Sequence, residues 1–227
     1  MKPHLLAGLL VLAGGVAAAA DYPADRAARW EKEVAGVENR VKAAGTADGV
    51  LFLGSSTVRL WDVKKGLPAL KPVNAGFGGA ETRDIVHFLP RLLGDLKPKA
   101  VVVYTGDNDL AAGRSPEQVR DDVTELFKGL RDRRPGTPVA FIAVKPSPSR
   151  FGILAKQAKA NEYVKALVDA DKAWRFLDLN PPMLDAKGKP KPDLYVKDGL
   201  HLSDAGYAQW NDAVTKLFAD WPAKSGK

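Results

Sequence analysis

The chain has 227 residues, 45% of them hydrophobic and 27% charged, and its 34 Lys and Arg outnumber its 27 Asp and Glu for a formal net charge of +7. That length suits one α/β domain with a substantial core, and the absence of cysteine excludes disulfides, thiolate metal sites and a cysteine-borne lipid anchor. A basic balance can signal nucleic acid or an anionic surface. Here the cations are interleaved with Asp and Glu and form no aromatic-studded stripe, so a solvated basic surface, compatible with acidic envelope glycans, is expected and a nucleic-acid partner is not.

Met1-Lys2, an apolar stretch from Leu5 to Val16, and Ala17 to Ala20 ahead of Asp21 describe a secretory signal peptide over residues 1–20. The alternative is an uncleaved anchor, although the apolar core falls short of the ~20 residues of a membrane span. Export to the periplasm or the medium is therefore expected. Loss of Lys2, the one charged side chain of the leader, would lower the net charge from +7 to +6. Residues 21–227 read as a single domain without internal repeats.

A polar helix runs from about Asp25 to Lys42, with Trp30, Val34, Val37 and Val41 on one face. Five short strands are expected at Val50–Leu53, Pro72–Asn74, Ala100–Thr105, Val139–Val144 and Trp174–Leu177. The third and fourth are nearly continuous apolar runs, as in parallel strands covered on both faces. Helical patterns alternate with them: Ile85, Phe88, Leu89, Leu92, Leu93 and Leu96, then Val119, Val123, Leu126, Phe127 and Leu130 behind a Ser115-Pro116-x-Gln118 capping box. A third helix spans about Gly152 to Ala170, and the last begins at Ser203 with Tyr207, Trp210, Val214, Leu217 and Phe218 facing inward. The alternation implies right-handed crossovers, giving a three-layer α/β/α sandwich around a flavodoxin-like, five-stranded parallel sheet. Lys187 to Pro192 read as an exposed loop.

In such a sheet the chemistry gathers at the carboxyl ends of the strands. Gly54-Ser55-Ser56-Thr57 follows the first strand and either caps a helix or presents a serine hydroxyl beside free backbone N–H groups. Asn74-Ala-Gly-Phe-Gly-Gly79 follows the second, where glycines permit close backbone approach to a ligand; a flexible turn or a phosphate cradle are the other readings. Gly106-Asp107-Asn108-Asp109 follows the third, with an amide suited to an oxyanion and equally to an Asx-turn. Asp198-Gly-Leu-His201 precedes the last helix. With His4 in the leader and His87 in a helical pattern, His201 is the imidazole available for acid–base work near neutral pH.

This ordered set resembles the SGNH, or GDSL-type, hydrolase family across essentially the whole chain after the leader. The resemblance implies Ser56 as nucleophile and Asp198 and His201 as its triad partners. Ser56, Gly79 and Asn108 would then be the oxyanion donors. The resemblance further implies that no metal or organic cofactor is required and that the substrates are esters of a small molecule, lipid or glycan. One departure is Ser55, which stands where the family commonly has Asp, and Trp61 follows a few residues later. The loop Lys145-Pro-Ser-Pro-Ser-Arg150 should overlook the same site, its two cations suited to a substrate carboxylate, or else serve as a stiff structural turn. Two competing readings are a non-catalytic glycan-binding protein on an inherited hydrolase fold and a metal-dependent phosphoesterase using Asp107, Asp109, Asp198 and His201.

Overall fold

Alternating strands and helices build a five-stranded, all-parallel sheet in the order β2-β1-β3-β4-β5. The computed structural model describes residues 22–45 and 48–221, so the expected leader lies outside the described residues. Among these, no helix is long and apolar enough to cross a membrane. The strands are β1 (Val50–Gly54), β2 (Val73–Gly76), β3 (Ala100–Tyr104), β4 (Val139–Ile142) and β5 (Trp174–Leu177). The helices are α1 (Ala24–Ala44), α2 (Ser56–Arg59), α3 (Val63–Gly66), α4 (Thr82–Leu93), α5 (Asp107–Ala111), α6 (Pro116–Arg133), α7 (Leu154–Asp169) and α8 (Asp204–Asp220).

Alternation along each central strand divides the interior into two cores. Leu51, Leu53, Val101, Val103, Val139 and Phe141 pack against α1, α4, α6 and α7, while Val50, Phe52, Val102, Tyr104, Ala140 and Ile142 meet α3, α8 and the segments around them. Trp61, Trp210 and Tyr104 form edge-to-face contacts at the centre of the second core, with centroids 5.3 and 5.1 Å apart. Local signals match: Ser115 accepts from the Gln118 N–H while the Gln118 side chain accepts from the Ser115 N–H, and Ser203 caps α8 by accepting from the Gly206 N–H.

Boundaries shift where side chains replace the ladder. β2 begins at Val73 and runs on to Gly76, because pairing with Leu51 to Gly54 carries it past the weak strand formers Ala75 and Gly76. β4 stops at Ile142; beyond it the Asn161 amide satisfies both backbone groups of Val144 at 2.7 and 2.9 Å. A 3₁₀ turn over Pro148–Ile153 occupies the start of the third expected helix. The strand order reverses between β1 and β3, and the loops leaving their carboxyl ends carry the serine and asparagine blocks.

Candidate active site

At Gly54 a Cβ would lie 2.2 Å from the Tyr104 carbonyl oxygen and 2.7 Å from Val58, so glycine lets α2 turn sharply out of β1. The N-cap, Ser55, is 3% exposed. Ser56 opens α2 half-buried, and its Oγ lies 2.9 Å from His201 Nε2. Of the two adjacent serines, the structure brings Ser56 to the imidazole.

His201 Nδ1 lies 2.6 Å from Asp198 Oδ2, while Asp198 Oδ1 accepts from the Leu200 and His201 N–H groups at 2.8 and 2.9 Å. One carboxylate thus folds the turn and orients the ring. Burial opposes its charged form, but the bonds from His201 and Leu200 prevail and bring the Asp198 carboxyl down to about 2. The loop is fixed from outside by the Tyr195–Leu202 bridge and by the Ser149 N–H, which donates to the Gly199 carbonyl at 3.0 Å.

Gly79 is exposed and adopts φ +69, the left-handed region that favours glycine. Among the described residues, the Ser56 and Gly79 N–H groups donate to no protein acceptor. Asn108, in the first turn of α5, donates from Nδ2 to the Ala80 carbonyl at 3.0 Å and accepts on Oδ1 from Arg150 Nη2 at 2.8 Å. The donor-only guanidinium fixes which amide atom is oxygen, and one Nδ2 hydrogen remains uncommitted.

The expected role of Lys145 requires correction: it is fully buried and cannot meet a substrate. Its Nζ lies 3.6 Å from Asp107 Oδ2, between the Tyr104 and Tyr195 rings. Burial pushes the ammonium down from the usual lysine value against the pull of Asp107. Arg150 likewise turns inward, pairing through Nη1 with Asp107 Oδ1 at 2.8 Å besides holding Asn108. Burial opposes ionisation of Asp107, yet Lys145 and Arg150 hold its carboxyl below the ordinary aspartate range. Gln157 completes this cluster by donating to Asp107 at 3.2 Å. The signal for it in the sequence was Lys145 itself, a cation directly continuing a buried apolar run.

Asp109 is also buried, and both its oxygens accept from the Thr82 N–H at 2.9 and 3.1 Å. Asp107 and Asp109 therefore face partners of their own rather than joining Asp198 and His201 as a ligand set. An open cleft of about 690 Å³, lined by Leu60, Trp61, Val196 and Tyr207, abuts Asp198 and His201.

The profile of the GDSL-like lipase/acylhydrolase family matches residues 57–209. No curated protein sequence matches the chain. The fold is similar to that of a Streptococcus pneumonia protein described as a platelet activating factor, with TM-score 0.72 and 20% identity over 85% of this chain and 96% of that one. It is also similar to a GDSL-like lipase from Bacteroides thetaiotaomicron, with TM-score 0.66 and 20% identity over the same shares, 85% and 96%. A carbohydrate esterase of family 3 from Talaromyces cellulolyticus gives TM-score 0.61 and 16% identity over 76% and 97%.

Proposed function

The chain belongs to the GDSL-like lipase/acylhydrolase family and is an ester-hydrolysing enzyme; from that premise we propose that Ser56, His201 and Asp198 cleave a short acyl or acetyl ester borne on a small molecule, lipid or glycan. The observation that carries this reading is the unbroken contact from Ser56 Oγ to His201 Nε2 at 2.9 Å and from His201 Nδ1 to Asp198 at 2.6 Å.

Ser56 Oγ attacks the carbonyl carbon as His201 Nε2 takes its proton, and the carbonyl π electrons move onto oxygen. The Ser56 and Gly79 N–H groups and the free Nδ2 hydrogen of Asn108 receive that oxyanion; loss of one such donor typically costs ~10²–10³ in rate. Collapse breaks the C–O bond, and His201 returns the proton to the departing alcohol. Water, deprotonated by the same imidazole, then releases the acid and restores Ser56. Asp198, ionised down to about pH 2, holds the Nδ1–H tautomer and stabilises the imidazolium. The leader pattern supports action outside the cytoplasm.

The test is covalent labelling by a fluorophosphonate alongside turnover of a short activated ester. Labelling and hydrolysis are expected to disappear in Ser56→Ala and to persist measurably in Ser55→Ala. Full turnover by the Ser56 variant would sink the assignment.

A further inference from the structure

Two arginines that the hydrolytic steps do not use flank the segment leading to Gly79. Arg59 ends α2, three residues after Ser56, so both side chains lie on neighbouring positions of one helix. Its guanidinium lies over Gly78, where a Cβ would come within 3.1 Å of Nε and 3.5 Å of Nη2. Arg40, from α1, reaches the same segment, donating from Nε to the Asn74 carbonyl at 3.2 Å and from Nη2 to the Gly76 carbonyl at 3.4 Å. With Lys64 they line an open cleft of about 580 Å³.

These charges are not compensated in the usual way. The bonds made by Arg40 go to neutral carbonyls, and none of Arg40, Arg59 and Lys64 pairs with a carboxylate among the described residues. Glu33 is the anion facing Gly78, and its Oε2 accepts the Gly78 N–H at 2.7 Å. Asp62 lines the same cleft, so three cations (Arg40, Arg59 and Lys64) against two carboxylates (Glu33 and Asp62) leave a net charge of +1 at the end of β2, beside the residue proposed to bind the oxyanion.

Resting on the esterase reading above, we infer that the substrate carries a carboxylate a few atoms from its scissile ester, and that Arg59, supported by Arg40, binds it. A guanidinium fork matches a carboxylate in plane and spacing. A phosphate group would call on a nest of backbone N–H donors, but here the Gly76 N–H is taken by Asn74 Oδ1 and the Gly78 N–H by Glu33. Because the carboxylate is remote from the reacting carbon, its contact is the same in ground and transition states and acts mainly on KM.

The full chain is assayed with two esters of equal length, 4-nitrophenyl valerate and the 4-nitrophenyl monoester of glutaric acid. The charged ester is expected to be preferred by about tenfold in kcat/KM at low ionic strength, the scale of one partly exposed charge-assisted hydrogen bond. The preference should shrink with added salt, fall towards unity in Arg59→Gln and survive in part in Arg59→Lys. Arg40→Gln, on the outer surface of α1, is the second variant and should lower it less. A ratio of one or below in the unsubstituted chain, or a ratio untouched by Arg59→Gln, overturns the inference. Binding of monomethyl glutarate to the Ser56→Ala chain, followed by NMR, reads the subsite without turnover. It should vanish when Arg59→Gln is added; binding that is absent from the start or indifferent to Arg59 also overturns it. If neither ester is hydrolysed while Arg59-dependent binding holds, the esterase reading fails and the carboxylate subsite stands.

Discussion

Asp198 and His201 sit on a loop open to water, their side chains 47% and 22% exposed, whereas Lys145, Asp107 and Arg150, which back Asn108, are 0%, 5% and 16% exposed. The first pair is organised within four residues by one carboxylate that makes its own turn. The second group is organised across the sheet, where low dielectric strengthens each charge–charge contact. With Lys145 protonated, two cations against one aspartate leave +1 behind the Asn108 amide, the sign that a developing oxyanion requires. In the proposed mechanism proton transfer thus falls to a locally folded, solvated device, and charge stabilisation to a buried long-range one.

The largest effect should come from the exposed half. Asn at position 198 can still accept from the Leu200 and His201 N–H groups, so Asp198→Asn keeps the turn while removing the charge that fixes the imidazole tautomer. A fall in kcat of about 10⁴-fold with little change in melting temperature is expected. A loss below tenfold on 4-nitrophenyl valerate would mean that solvent substitutes for the carboxylate and that the buried half dominates.

For the buried half, Asn108→Ala should lower kcat by roughly 10²–10³ with little change in KM, because its bond forms chiefly in the transition state. A pure KM effect would make Asn108 a substrate-binding residue instead. Arg150→Ala should cost less, about tenfold to 10²-fold, since the amide keeps its bond to Ala80. Arg150 acts through Asn108, so the double variant should be barely worse than Asn108→Ala, and added guanidinium should partly restore Arg150→Ala but not Asn108→Ala. Additive losses in that cycle would show that the two act separately.

The same contrast governs what was readable in the sequence. β3 and β4 announce themselves as Val101–Val103 and Val139–Ile142, and α4, α6 and α8 through period and caps, because those signals are local. The helices α2, α3 and α5 have four or five residues each, too few to display a period. Ser56, Gly79, Asn108, Asp198 and His201 stand in short blocks, and their strand-end positions put them at one edge of the sheet. The partners of Asn108 and Asp107 do not: Arg150 is 42 residues from Asn108, and Gln157 is 50 from Asp107. A loop cation reads as exposed by default, and only the packing of Tyr104, Tyr195 and Asp107 turns Lys145 inward.

Asp109 extends the buried half towards α4 and supplies the smallest effect, one on stability. Burial is the main cause that raises its carboxyl to about 7 from the ordinary 3.8, with the nearby charge of Glu81 adding to it and the Thr82 N–H opposing. The folded chain therefore holds a proton at Asp109 that the unfolded chain has lost, and the stability linked to it is present at low pH and disappears as pH rises through 7. Between pH 6 and 8 that contribution amounts to about 1.4 kcal/mol. Asp109→Asn retains an acceptor for the Thr82 N–H but cannot ionise, so its urea-unfolding free energy should change with pH less than that of the unsubstituted chain by this amount. The other titrating groups cancel in the difference. Parallel pH profiles for the two proteins would show that Asp109 is ionised throughout, and that the Thr82 N–H outweighs burial at the amino end of α4.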